Sequence, residues 1–80
     1  MKVEYSKEAV KSLLKCQKDI AFKIRDAINE LPQGDVKKLQ GMNLPVKYRL
    51  RIGKYRIIFY YSSDDLIRIV KIEPRGDAYK

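Results

Sequence analysis

Eighty residues, 45% of them hydrophobic and including six tyrosines and two phenylalanines, can fill one core but not two, so residues 1–80 are expected to form a single domain. One cysteine, Cys16, excludes an intrachain disulfide, and the lack of histidine excludes a Cys/His zinc site built from this chain. No apolar run reaches the length of a membrane span and Met1–Tyr5 lacks a signal-peptide stretch, so a cytoplasmic protein needing neither metal nor membrane is expected. Eighteen Lys and Arg against ten Asp and Glu leave a formal charge of +8. Such self-repulsion points to a polyanionic partner, unless the lysines merely solubilise a helical surface.

Val3 and Tyr5 predict a short opening strand. Ser6 offers an N-cap oxygen, and Glu8 suits the first turn of a helix whose apolar positions Val10, Leu13 and Leu14 run to about Cys16, read as a buried filler. Asp19 is placed to cap a second helix. Its stripe is Ile20, Ile24, Ala27, Ile28 and Leu31, and Pro32 and Gly34 stop it. Phe22 lies off that stripe and reads as core edge rather than a docking residue. Residues 35–45, with Gly41 and Pro45 as breakers, read as a basic loop carrying Lys37 and Lys38.

The period then changes to two. Val46, Tyr48, Leu50 and Ile52 alternate with Lys47, Arg49 and Arg51, the pattern of a half-buried strand with cations on its other face. Gly53-Lys54 predicts a two-residue hairpin turn that sets Ile52 opposite Tyr55 and Arg51 opposite Arg56, with Tyr55, Ile57, Phe59 and Tyr61 facing the core. Ser62–Asp65 predicts another turn, and Leu66–Ile72 a last strand that Pro74 terminates. Its register stays open, because one choice turns Arg68 toward the core and the other turns Lys71 there.

The expected class is α+β: an N-terminal strand, a helical hairpin, then a three-stranded antiparallel meander, with the helices on one sheet face. The other face then carries Lys47, Arg49, Arg51 and Arg56 beside Ile58 and Tyr60. Like charges opposite one another cost on the order of a few tenths to 1 kcal/mol, so the Arg51–Arg56 pairing calls for an explanation beyond two side chains splayed into water. Guanidinium forks beside aromatic surface suit phosphate and base contact. Arg75 and Tyr79 follow the last strand and either extend this groove or form a frayed tail; Arg75-Gly76-Asp77 as an integrin tripeptide is a chance match in a cytoplasmic chain.

Lys38-Leu39-Gln40-Gly41, then Tyr48 to Tyr60, then Pro74-Arg75-Gly76-Asp77-Ala78-Tyr79, behind a helical hairpin, resemble the RelE branch of the RelE/ParE toxin superfamily over nearly the whole chain. The resemblance implies a microbial-RNase-like fold, cleavage of messenger RNA in the ribosomal A site without a cofactor, and neutralisation by an acidic, RelB-like antitoxin. It assigns catalytic roles to Arg49, Arg51, Arg56, Arg75 and Tyr79; from the basic residues and the open face themselves, Lys38, Lys47, Lys54 and Tyr60 are expected as RNA contacts. Well-known members carry lysine where Arg49 and Arg51 stand, and some carry histidine where this chain has Pro74. Since arginine hardly deprotonates, electrostatic stabilisation suits these positions better than base catalysis, and no residue is assigned as general base. Two other readings remain: a ParE-like DNA gyrase poison, and a basic RNA-binding module without catalysis.

Overall fold

In the computed structural model, which describes residues 2–41 and 44–74, the elements follow as β1 (Lys2–Tyr5), α1 (Lys7–Lys15), α2 (Lys18–Asn29), β2 (Val36–Lys38), β3 (Tyr48–Ile52), β4 (Tyr55–Ser63) and β5 (Leu66–Pro74). The five strands form one mixed sheet in the order β1-β5-β4-β3-β2, with β1 parallel to β5 and the other neighbours antiparallel. Both helices pack on one face, giving the expected α+β class.

Ser6 caps α1 as expected. Its Oγ accepts from the Ala9 amide at 3.0 Å and donates to the Val70 carbonyl at 2.6 Å, so one hydroxyl both starts the helix and ties it to β5. The inward stripe is Ala9, Leu13 and Cys16, at helical spacing. Val10 and Leu14, expected on that stripe, are 42% and 79% exposed. Cys16 is half-buried against the core and closes α1 by donating a hydrogen bond from its backbone N–H to the Leu13 carbonyl.

The N-cap of α2 is Gln17, without a side-chain bond, and not Asp19, which falls in the first turn and there complements the helix dipole. Ile24 and Ile28 are buried, and Leu31 remains in the core beyond the helix end at Asn29. Phe22 is 61% exposed, contrary to the core-edge reading. At about 100° per residue it stands some 200° around the helix from both Ile20 and Ile24, which aims it at solvent.

Residues 35–45 are not wholly loop, because Val36–Lys38 adds β2 to the edge of β3, extending the expected three-stranded meander to four strands. The turn before it uses Gly34 at φ 115°, with the Leu50 methyl 3.1 Å from where a Cβ would stand. Val46 lies outside β3 and is exposed. The Gly53-Lys54 turn is as expected: Gly53 has φ 53°, and Ile52 and Arg51 meet Tyr55 and Arg56. Leu50, Ile57 and Phe59 are fully buried. Tyr61 is partly exposed but sets its ring edge-on to Tyr48 and Phe59, at 5.4 and 5.8 Å between centroids.

β4 continues to Ser63, which narrows the expected four-residue turn to Asp64-Asp65. Pro74 does not end the pairing but sits opposite Tyr55. The open register of β5 resolves through a bulge. Phe59 pairs with Ile69 while the preceding Ile58 pairs with Lys71, leaving Val70 as an extra residue. Ile67, Ile69 and Ile72 therefore all reach the core, while Arg68 beside Tyr60 and Lys71 beside Ile58 both stay on the other face. Neither cation is buried.

Candidate active site on the open sheet face

Residues paired directly across a sheet point to the same side, so the register orders the helix-free face into rows. One row runs Arg51, Arg56, Glu73; the next runs Lys37, Arg49, Ile58, Lys71; a third holds Tyr60, Arg68 and Glu4. Successive rows lie about 7 Å apart along the strands. Arg49, Arg51 and Arg56 are thus brought together on two neighbouring strands, with Tyr60 further along β4.

Carboxylates that the alternation pattern did not reveal share this face. Arg56 donates from Nε at 3.0 Å and from Nη2 at 2.5 Å to Oε1 of Glu73. Arg49 donates from Nη1 to the Asp35 carbonyl at 3.1 Å and to its Oδ1 at 3.4 Å, while Arg51 Nε stands 4.0 Å from Oδ2. These contacts answer the question raised by the Arg51–Arg56 pairing, since each guanidinium has an anion on its far side. They also leave the face less cationic than the sequence implied. Arg68 is likewise engaged, donating to Glu4 at 3.0 Å. Ile58, flanked by Arg49 and Lys71, is only 7% exposed, as expected where long cationic side chains lay their methylene stems over apolar surface.

The other sequence-derived positions fall differently. Lys38 pairs with Tyr48 and so lies on the helix-bearing side of the sheet, and Lys37 takes the place in line with Arg49. Lys54 is exposed in the hairpin turn, and Lys47 is exposed just before β3, its carbonyl accepting from the Leu39 amide at 2.9 Å. Arg75 and Tyr79 lie outside the described residues. Glu73, Asp35 and Lys37 were missed. A three-residue strand gives too little alternation to reveal Lys37, and Glu73 needed both the bulge and the extension of β5 to Pro74. Among the described residues no group of three or more His, Cys, Asp or Glu side chains gathers as a metal site, and no helix is long and apolar enough to cross a membrane.

The sequence profile of the ParE toxin of the type II toxin-antitoxin system parDE matches residues 3–79. The chain belongs to this toxin family. Two solved structures place the toxin near RelE within the wider superfamily. The archaeal RelE-RelB complex from Pyrococcus horikoshii OT3 is 34% identical, with a TM-score of 0.73 over 94% of each chain. The RelB-RelE antitoxin-toxin complex from Methanococcus jannaschii is 26% identical, with a TM-score of 0.73 over 95% of this chain and 94% of that one. No curated protein matches the toxin sequence. The resemblance drawn from the sequence motifs is therefore shown at the level of family and fold, and both structural neighbours are toxins in complex with an antitoxin.

Proposed function

We propose that this toxin is a metal-independent endoribonuclease that cleaves messenger RNA in the ribosomal A site, acts in the cytoplasm, and is neutralised by an acidic RelB-like antitoxin. The observation that carries the reading is the convergence of Arg49, Arg51 and Arg56 on one helix-free sheet face beside Tyr60, in a fold shared with RelE. The reaction is attack of a ribose 2′-hydroxyl on the adjacent phosphate, leaving a 2′,3′-cyclic phosphate and a free 5′-hydroxyl. Charge builds on the phosphorane oxygens, and pre-positioned guanidinium donors stabilise it more than they stabilise the ground state. Arg51 and Arg56 serve that role, Arg49 holds the phosphate, and Lys37 and Lys71 flank the track. In this reading Arg75 assists the leaving oxygen, Tyr79 orients a base by stacking, and Lys47, Lys54 and Tyr60 add RNA contacts. Because Arg49 and Arg56 are held by carboxylates, substrate must share or displace those contacts to engage them. That favours a substrate positioned by a larger body, the ribosome, over free RNA.

The test is incubation of purified toxin with programmed ribosomes and mapping of the 5′ ends of the message. Cuts within the A-site codon support the reading. The match to the ParE profile favours a second reading, poisoning of DNA gyrase, which predicts gyrase-dependent DNA breaks and an intact message. Salt-sensitive binding with neither product is the signature of a non-catalytic basic module.

A further inference from the structure

The nuclease reading lacks a proton acceptor. Transfer of the 2′-hydroxyl proton needs a group that is unprotonated near neutral pH, which ordinarily excludes Lys, Arg and Tyr. With no histidine in the chain, carboxylates and Cys16 remain. Cys16 ends α1 on the helix side of the sheet, where its thiol donates to the Ser12 carbonyl. Of the described carboxylates, Glu8, Asp19, Asp26 and Glu30 belong to or follow the helices, and Asp64 and Asp65 form the distal turn. Glu4 lies on β1, bonded to Arg68 two rows away. Asp35 and Glu73 are left.

We propose, resting on the nuclease reading, that Glu73 is the general base. It stands in one row with Arg51 and Arg56, the two cations assigned to the phosphorane oxygens. Two hydrogen bonds from Arg56, at 3.0 and 2.5 Å, fall on its Oε1, which fixes the carboxylate beside the group that grips the phosphate. Its side chain is 31% exposed, open to substrate yet partly screened. Asp35 is 57% exposed and held more loosely, at 3.4 and 4.0 Å from its arginines. In the step, the O2′–H bond breaks with its proton passing to Glu73, the O2′–P bond forms, and the P–O5′ bond breaks. The leaving O5′ takes a proton from solvent, and Glu73 returns its proton to solvent. No oxidant, reductant or cofactor is needed. Among the described residues, the charged groups around Glu73 are Arg56 on β4, Arg51 beyond it on β3, Lys71 on its own strand, and Glu8 of α1, which lines a cleft with Lys71, Glu73 and Pro74.

Single-turnover cleavage on programmed ribosomes tests this. Glu73→Gln is expected to cut about a hundredfold more slowly and to bind ribosomes as wild type does. Glu73→Asp is expected to cut at a reduced rate, and Asp35→Asn to cut at the wild-type rate on saturating ribosomes while binding them less tightly. A Glu73→Gln toxin with wild-type rate overturns the assignment. So does a hundredfold loss in Asp35→Asn or Asp77→Asn instead. Absence of cleavage by the wild type removes the nuclease reading itself, an outcome distinct from cleavage that ignores Glu73. If Glu73→Gln fails to fold, Glu73→Asp decides, and an unchanged rate there overturns the proposal.

Discussion

Gly34→Ala tests how the backbone seats the cationic face. Gly34 has φ 115°, a conformation that residues with a Cβ adopt at a cost of about 1–3 kcal/mol. The added methyl would also lie 3.1 Å from Leu50 Cδ1, and Leu50 is fully buried, so it has little room to yield. A domain of this size has a total stability of roughly 4–12 kcal/mol, so the substitution removes a substantial share. At about 4–8 °C per kcal/mol the melting temperature should fall by about 5–20 °C. Beyond stability, the next residue is Asp35, whose carbonyl accepts from the Arg51 amide at 3.0 Å and from Arg49 Nη1 at 3.1 Å, so displacement there also loosens two arginines. Urea denaturation of Gly34→Ala, Leu50→Val and the double variant separates the causes. Leu50→Val shortens the clashing side chain, so the steric share of the Gly34→Ala effect should disappear in that background while the backbone share stays. An unchanged midpoint for Gly34→Ala would refute the reasoning, and equal effects in both backgrounds would refute its steric half.

Phe59→Ala should cost about 3–5 kcal/mol, since the ring is fully buried against Tyr48 and Tyr61; circular dichroism on heating would show it. Phe22→Ser, at a position 61% exposed, should shift the same transition by less than about 0.5 kcal/mol, and a larger shift would mean that Phe22 packs in solution. Burial raises the Tyr5 hydroxyl above the usual tyrosine range against a smaller opposing pull from Arg25. The folded state therefore favours the protonated phenol, and its contribution, fully present below the unfolded value, fades as pH climbs through the folded one. Stability should drop at strongly alkaline pH, and Tyr5→Phe should blunt the drop. Arg75→Ala should slow message cleavage at least about tenfold, equivalent to about 1.4 kcal/mol of barrier, with ribosome binding retained in a co-sedimentation assay.

Much of this architecture was readable because strong local patterns agree with it. The alternation from Tyr48 to Ile52, the Gly-Lys turn and the run after Tyr55 define the central hairpin and its Arg51–Arg56 pairing without further information. Ser6 followed by an amphipathic stretch gives the first helix start for the same reason. What stayed hidden depends on partners distant in sequence. Val36–Lys38 is a strand only because β3 offers an edge, and Val10 and Leu14 look like core residues until Ala9 and Leu13 take the contact with the sheet. The site divides along the same line: its arginines are local features, whereas their counter-ions Asp35 and Glu73 arrive from elsewhere in the chain.

The surplus residue at Val70 acts like a phase adjustment in the last strand. Were residues 66–74 paired without interruption, Val70 would meet Ile58, Lys71 would be driven toward the apolar layer, and Glu73 would change sides. With the slip in place, the acidic group comes abreast of Arg56. Removing Val70, or adding one residue after it, would by residue arithmetic leave every later side chain on its present side of an uninterrupted strand, but the addition would bring Lys71, not Glu73, opposite Arg56. The make-up of the face is thus set by chain length over a handful of positions, and a single insertion there would set a cation where the acidic group now stands beside Arg56.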